Sequence, residues 1–310
     1  MPRPDTSGGR SAIDTTSNNR NVPYTAILPV LNAAGQIDRQ IEALRGQTLP
    51  PERILVVDSH SSDDTVQRAK SHAGVDCVVL GPGEYDHGGT RDMAIRRCQT
   101  PFAVLMTQDA LAADANCMAA LLAPMADADV AAVCARQIAR PEATCREKAI
   151  RAFRYPGESR AWGKEDVPAL GIRAYLLSDV CAAYRCEAYK AVGGFEHPIA
   201  TNEDMLIAAD FLAAGYRLAY AADARVWHSH NFTLAQEYRR NKLIGAFLAQ
   251  YGARFESGEM GEGLRLVREV SSALVKQGHP GELIPFYAAC AAKLLGSRAG
   301  RRAARRRADG

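Results

Sequence analysis

Five short, uninterrupted apolar runs, each leading toward a helix signal, do most to restrict what this chain can fold into. They are YTAILPV (24–30), RILVVDS (53–59), VDCVVLG (75–81), FAVLMTQD (102–109) and DVAAVCARQI (129–138). A strand with one wet face alternates apolar and polar residues; a strand covered on both faces does not. Between these runs lie helix signals. Ala33–Arg45 has Ile37, Ile41 and Leu44 at helical spacing, Ser62–Lys70 opens on Ser-Asp-Asp, MAIRRC continues the EYDHGGTRD loop (84–92), and a helix is expected over Asp114–Met125. The rhythm predicts an α/β fold with a mostly parallel sheet covered by helices. Ligands of such sheets bind outside the carboxyl ends of the strands. Pro29, Val30, Asp58, the EYDHGGTRD loop and Asp109 all fall there.

Beyond residue 140 the rhythm changes. A polar stretch, YPGESRAWGKEDVPALG, leads into YLLSDVCAAY and a short helix, EAYKAV, ended by Gly193-Gly194. TNEDMLIAADFLAAG predicts a helix capped by Asn202, with Glu203 and Asp204 in its first turn and Gly215 closing it. A strand or hairpin is expected over 216–228, ending in VWHSH, and helix from Thr233 onward. Residues 1–21, rich in Ser, Thr, Asn, Gly and Arg, are expected to be disordered.

Charge narrows the partners. The net charge is +3, and the stretch from Arg298 holds six Arg and one Asp, or +5, so the rest sums to −2. A nucleic-acid-binding body would carry its own basic face, so nucleic acid is excluded as a partner. A basic tail over 298–310 suits an anionic membrane surface, or simply stays solvated. None of the eight cysteines forms a CxxC pair or a finger spacing, and several sit in apolar runs, as reduced cytoplasmic cysteines do. The polar N-terminus does not read as a signal peptide, and the longest apolar candidate, LIPFYAACAAKLLG, is too short to span a membrane.

Four clusters carry candidate chemistry, each with a plain structural alternative. In DSHSSDDT (58–65), Asp58 can accept from a base or ribose, or merely form a strand-end turn. Asp109 in MTQDA can bind metal or phosphate, or cap a helix. Glu203 and Asp204 can serve chemistry, or only the helix dipole. His228 and His230 in WHSHN sit two apart at a strand end and so point the same way. One or both can bind a divalent metal with Asp109. There is no GxGxxG after the first strand and no GxxxxGK[ST], which argues against dinucleotide oxidoreductases and P-loop NTPases.

Taken in order, ILPVLN, VVDSHSSDDT, EYDHGGTRD, MTQDA, GGF, NED and WHSH resemble the family 2 inverting glycosyltransferases of GT-A fold. The fuller strings DHGGTRDMA, SDVCAAYR, GGFEHPIATNEDM and WHSHNFTLAQEYRRNKLIGAF resemble its rhamnosyltransferase-like branch, over about residues 24–250. The resemblance implies a catalytic domain over 22–232, with a nucleotide-binding half (22–140) and an acceptor half (141–232). A C-terminal helical region (233–297) and the basic tail follow. It assigns Pro29, Val30 and Asp58 to the nucleobase and ribose, and Gln108 and Asp109 to the donor side. There Thr107-Gln108-Asp109 stands for the usual DxD, so only the last acid remains. Asp109 and His228 are the implied ligands of a magnesium or manganese ion. Arg91 is implied to hold the diphosphate, with Gly88 letting the backbone approach a bound group. His87 is assigned to the diphosphate or donor sugar, or else to bracing the loop. Asp204 matches the general base, with Glu203 beside it. The implied donor is dTDP-L-rhamnose, with a UDP- or GDP-hexose, or a degenerate non-catalytic glycan-binding scaffold, as alternatives. The implied acceptor is a saccharide of a bacterial surface polysaccharide, lipid-linked in many relatives. Peripheral attachment at the inner face of the plasma membrane would follow through the basic C-terminus; the amphipathic helix over 234–252 is read first as packed on the catalytic domain or a partner subunit, and second as a membrane helix. A homodimer is left open.

Overall fold

The computed structural model describes residues 22–255 and 260–308. The segment 1–21, expected to be disordered, lies outside them. β1 (Tyr24–Val30), α1 (Ile37–Arg45), β2 (Arg53–Asp58), α2 (Thr65–Ser71), β3 (Val75–Val79), α3 (His87–Arg96) and β4 (Phe102–Met106) follow in turn. β1 pairs in parallel with both β2 and β4, and β2 with β3. Next come β5 (Leu111–Ala112), α4 (Cys117–Leu122), β6 (Val130–Ile138), α5 (Cys145–Arg154), β7 (Arg160–Trp162) and α6 (Val167–Leu170). The domain closes with β8 (Cys181–Arg185), α7 (Cys186–Ala191), α8 (Glu203–Ala213) and β9 (Arg217–Trp227).

All the strands join one sheet of order β3-β2-β1-β4-β8-β6-β9-β5, with β7 on β9. It is mixed: β1, β2, β3, β4, β6 and β9 run the same way, but β8 runs antiparallel between β4 and β6, while β5 and β7 run antiparallel to β9. This has a consequence for function. The start of β8, not its end, lies at the carboxyl edge of β4, where the Thr107 N–H donates to the Val180 carbonyl at 3.1 Å.

The continuous apolar runs are explained by two cores, one on each face. Ile27, Leu55, Val57, Ala103 and Leu105 point to one, with Ile95 of α3 and Leu206 and Phe211 of α8. Their strand neighbours Ala26, Leu28, Val56 and Val104 point to the other, with Ile37, Ile41 and Leu44 of α1 and Leu121 of α4. Successive strand residues face opposite sides.

α9 (Leu234–Tyr251), α10 (Met260–Lys276) and α11 (Leu283–Ala308) follow. Val270 and Leu274 of α10 pack with Ile150 of α5 and Phe286 of α11. α9 and α11 approach closely enough that a Cβ on Gly245 would sit 2.1 Å from the Ser297 carbonyl oxygen, and one on Gly300 would sit 1.9 Å from that of Lys242. The basic run drawn as a tail from 298 is therefore the end of α11, which continues to Ala308. Glycine lets the two helices touch along its length. Among the described residues no helix is long and apolar enough to cross a membrane.

Candidate active site

The loops after β1 and β2 are stitched together at the carboxyl edge. Asp58 is fully buried, and both its oxygens accept from Ser61, one from the main-chain N–H at 2.9 Å and the other from the hydroxyl. Ser61 Oγ accepts from the Asn32 N–H (2.8 Å), Asn32 Oδ1 from the Ser62 N–H (2.9 Å), and Thr65 Oγ1 from the Ala33 N–H (2.7 Å). These bonds delay the start of α2 to Thr65, three residues after the expected Ser62. They show Asp58 forming the strand-end turn. Val30 is buried and Pro29 half-buried behind the same loop. Gln108, expected on the donor, braces this loop as well. Its Oε1 accepts from the Leu31 N–H at 2.7 Å, and its Nε2 donates to the Leu31 carbonyl at 3.2 Å.

Asp109, just past β4, meets the residues that follow β9. Its Oδ2 lies 3.3 Å from His228 Nε2 and 3.2 Å from His230 Nε2, and the two imidazole nitrogens are 3.0 Å apart. Potential ligand atoms of all three residues fall within 4.8 Å of one another. His230 joins the expected Asp109 and His228, its ring stacked on Phe232 at 4.7 Å. Thr107 donates its hydroxyl to Asp109 Oδ1 at 2.7 Å. Burial pushes the Asp109 carboxyl up, but the two histidines outweigh it and hold the group far below the usual carboxylate range. Burial likewise lowers the His228 imidazole, and a neutral imidazole is the ligating form. One carboxylate and two imidazoles fit a divalent first-row ion that keeps its other positions for phosphate oxygens and water.

Across the start of β8 lies a second, acidic cluster. Arg91 of α3 is buried to 5% exposure, with Nε 3.4 Å from Glu203 Oε1 and 3.6 Å from Asp179 Oδ2. Burial opposes its charge, but Glu203 and Asp179 outweigh burial and keep it protonated. Where the resemblance implies that Arg91 holds a diphosphate, its guanidinium lies between these two carboxylates. Glu203 is 4% exposed and committed to Arg91 and to His87 Nδ1, 3.4 Å away. Burial raises its carboxyl, but His87 and Arg91 bring it below the usual value. Glu203 therefore positions its neighbours, whereas Asp204 is the half-exposed acid of the pair. Burial, then Asp179 and Glu203, raise the Asp204 carboxyl well above the ordinary range. Asp179 is raised to about 7 by burial and by Glu203, against the pull of Arg91. Its other oxygen accepts from the Tyr184 hydroxyl.

The capping expected of Asn202 is not made. Asn202 is left-handed (φ 62°), and its Nδ2 reaches Met205 Sδ at 3.2 Å. Asp86 does cap α3, accepting from the Gly89 N–H at 2.6 Å and from the Ile199 N–H at 2.8 Å. Gly88 makes room for protein rather than ligand, since a Cβ there would meet the Glu196 carbonyl oxygen at 2.0 Å. Beside this junction Tyr85, Asp86, His87, Pro198, Ile199 and Ala200 line an open groove of about 470 Å³. The His87 ring sits edge-on to Tyr85, with centroids 5.4 Å apart.

Sequence reasoning misses Asp179 and Gln137. Asp179 precedes an apolar strand instead of ending one, and only the reversed direction of β8 brings it to the ligand edge. Gln137, inside a strand, gives no local signal.

The sheet, with these two clusters gathered at its carboxyl edge, fits a glycosyltransferase of GT-A fold. Comparisons agree. The profile of Glycosyl transferase family 2 matches residues 25–193. The O-antigen chain rhamnosyltransferase WbaN of Salmonella anatum is 35% identical, covering 90% of this chain and 89% of its own. RfbN of Salmonella typhimurium, described in the same words, is 33% identical, covering 89% of each. Among solved structures, the mannosyltransferase PcManGT of Pyrobaculum calidifontis, in complex with GDP-Man and Mn2+, superposes with a TM-score of 0.63 at 18% identity, covering 93% of this chain and 89% of that one. S. aureus TarS 1-349 in complex with UDP-GlcNAc gives 0.54 at 14% identity, covering 92% of each chain. The chain belongs to glycosyl transferase family 2.

Proposed function

We propose that this enzyme transfers L-rhamnose from dTDP-L-rhamnose to a saccharide acceptor in the synthesis of a bacterial surface polysaccharide, inverting the anomeric centre. The observation that carries the reading is the likeness to two O-antigen chain rhamnosyltransferases over nearly the whole chain. Asp204 takes the proton of the acceptor hydroxyl as its oxygen bonds to the anomeric carbon. The bond from that carbon to the diphosphate breaks on the opposite face, and dTDP leaves with the electron pair. A carboxylate whose proton affinity is raised is the better acceptor for this proton. Asp109, His228 and His230 would hold a divalent ion, with two imidazoles suiting manganese better than magnesium. Such an ion, when bound, neutralises charge on the departing diphosphate. Glu203 and Arg91 keep Asp204 and His87 in place. The groove along Tyr85 and His87 offers an aromatic wall and small apolar residues beside Glu203, which suits the acceptor sugar.

The eight free cysteines fit a reducing, cytoplasmic setting. The C-terminal helices fit peripheral contact with its membrane, where lipid-linked acceptors reside. Ile284, Tyr287, Leu294 and Leu295 are exposed on α11, ahead of Arg298, Arg302 and Arg305.

Thermal unfolding with dTDP-L-rhamnose, UDP-glucose and GDP-mannose, each with and without Mn2+, tests the donor. The expected result is stabilisation of several degrees by dTDP-L-rhamnose with Mn2+ and little by the others. Stabilisation by a UDP- or GDP-hexose alone would replace the donor. No stabilisation by any of them would favour the non-catalytic scaffold.

A further inference from the structure

Gln137 is a polar side chain buried to 2% exposure near the end of β6, after the apolar run Val130–Ala135 and Arg136. β6 and β9 are parallel neighbours, with Gln137 opposite Val226, which brings the amide beside His228. Its Oε1 lies 2.8 Å from His228 Nδ1 and also accepts from Arg151 of α5. Its Nε2 donates to Ser178 Oγ at 2.8 Å. Chemistry fixes which amide atom is which. A guanidinium has no acceptor, so the atom facing Arg151 is the oxygen. The same oxygen faces His228, and it can only accept, so His228 Nδ1 carries the proton. In the neutral ring, the form that binds a metal, the bare nitrogen is then Nε2, the one beside Asp109 Oδ2 and His230 Nε2. Arg151 is in turn anchored by Glu147 at 2.7 Å.

We propose that Gln137 is a positioning residue for the metal site: held by Arg151 and Ser178, it locks His228 in the Nδ1–H tautomer, so that the Nε2 lone pair faces a divalent cation before one arrives. This rests on the reading of Asp109, His228 and His230 as metal ligands. A histidine ligand characteristically donates its second N–H to an outer partner that sets tautomer and ring orientation. The neutral amide does this without adding a second negative charge beside Asp109, and a carboxylate there would lose the bond donated to Ser178.

The test uses the full chain, with two readouts besides activity: imidazole nitrogen shifts of the metal-free protein, and Mn2+ titration followed by electron paramagnetic resonance. Wild type is expected to show His228 as the Nδ1–H tautomer. Gln137→Leu is expected to mix the tautomers and weaken Mn2+ binding about 10–100-fold. Gln137→Glu keeps the acceptor and is expected to retain the tautomer and bind within about threefold of wild type, since opposite charge offsets the lost Ser178 bond. If Gln137→Leu does not fold, Arg151→Met, which frees the amide to turn over, is expected to weaken binding severalfold. Equal Mn2+ affinity in wild type and the folded Gln137→Leu or Arg151→Met variant would overturn the positioning role. So would a wild-type His228 protonated on Nε2. Wild type that binds no Mn2+ would instead overturn the metal reading itself.

Discussion

Burial first, and then the charge of Asp179, raise the proton affinity of Asp204. Both carboxyls sit in a pocket where burial disfavours charge, and Arg91 is shared between Asp179 and Glu203. In the folded protein Asp179 keeps its proton up to about 7, while the unfolded chain releases it in the ordinary carboxylate range. Its contribution to stability is therefore lost as pH rises through that window, the sign expected of a raised acid. Once ionised, Asp179 raises Asp204 further. Asp179→Asn removes that charge but can still accept from the Tyr184 hydroxyl. The variant should move the acid limb of the kcat–pH profile down by about one unit. A limb that stays put or moves up would show that Asp179 does not bear on Asp204. Asp109, His228 and Asp204 are legible in the sequence because each ends an apolar run or opens a helix. Arg91 is legible as a site residue but its carboxylate partners are not, because Asp179 lies more than eighty residues away in sequence.

The elements of the first half follow from their own sequence: four apolar runs, three buried on both faces and the edge strand β3 half-buried, give the parallel β1–β4. The second half does not, because a buried strand reads the same in either direction, and β8 is reached only after a long excursion through α5, β7 and α6. The end of α11 is a similar case. Six arginines look like a solvated tail, yet Gly296 and Gly300 place the helix against α9. The resulting surface runs from exposed Ile284, Tyr287, Leu294 and Leu295 to Arg298, Arg302 and Arg305. Apolar residues beside a basic cluster suit the surface of an anionic bilayer. Sedimentation with vesicles containing phosphatidylglycerol should pellet the protein at low salt and release it at high salt. Arg298→Glu with Arg302→Glu should abolish pelleting. Equal pelleting with neutral vesicles, or by the doubly substituted chain, would remove α11 from that role. A concentration-dependent dimer in solution, lost with the same substitutions, would give its face to a second copy instead.

At the scale of the whole molecule, the sheet separates two tasks along one edge. β4, β6 and β9 bring Asp109, His228 and His230 together on one side, and α3, α8 and the start of β8 assemble Arg91, Asp179, Glu203 and Asp204 on the other. Because the two sides are built from different elements, the proposed roles predict that chemistry can be removed without removing donor binding. The most direct measurement is the steady-state release of dTDP from dTDP-L-rhamnose with Mn2+, comparing wild type and Asp204→Asn. The account predicts a donor KM near that of wild type with kcat reduced by about 10²–10⁴-fold. An Asp204→Asn enzyme that turns over like wild type would contradict it.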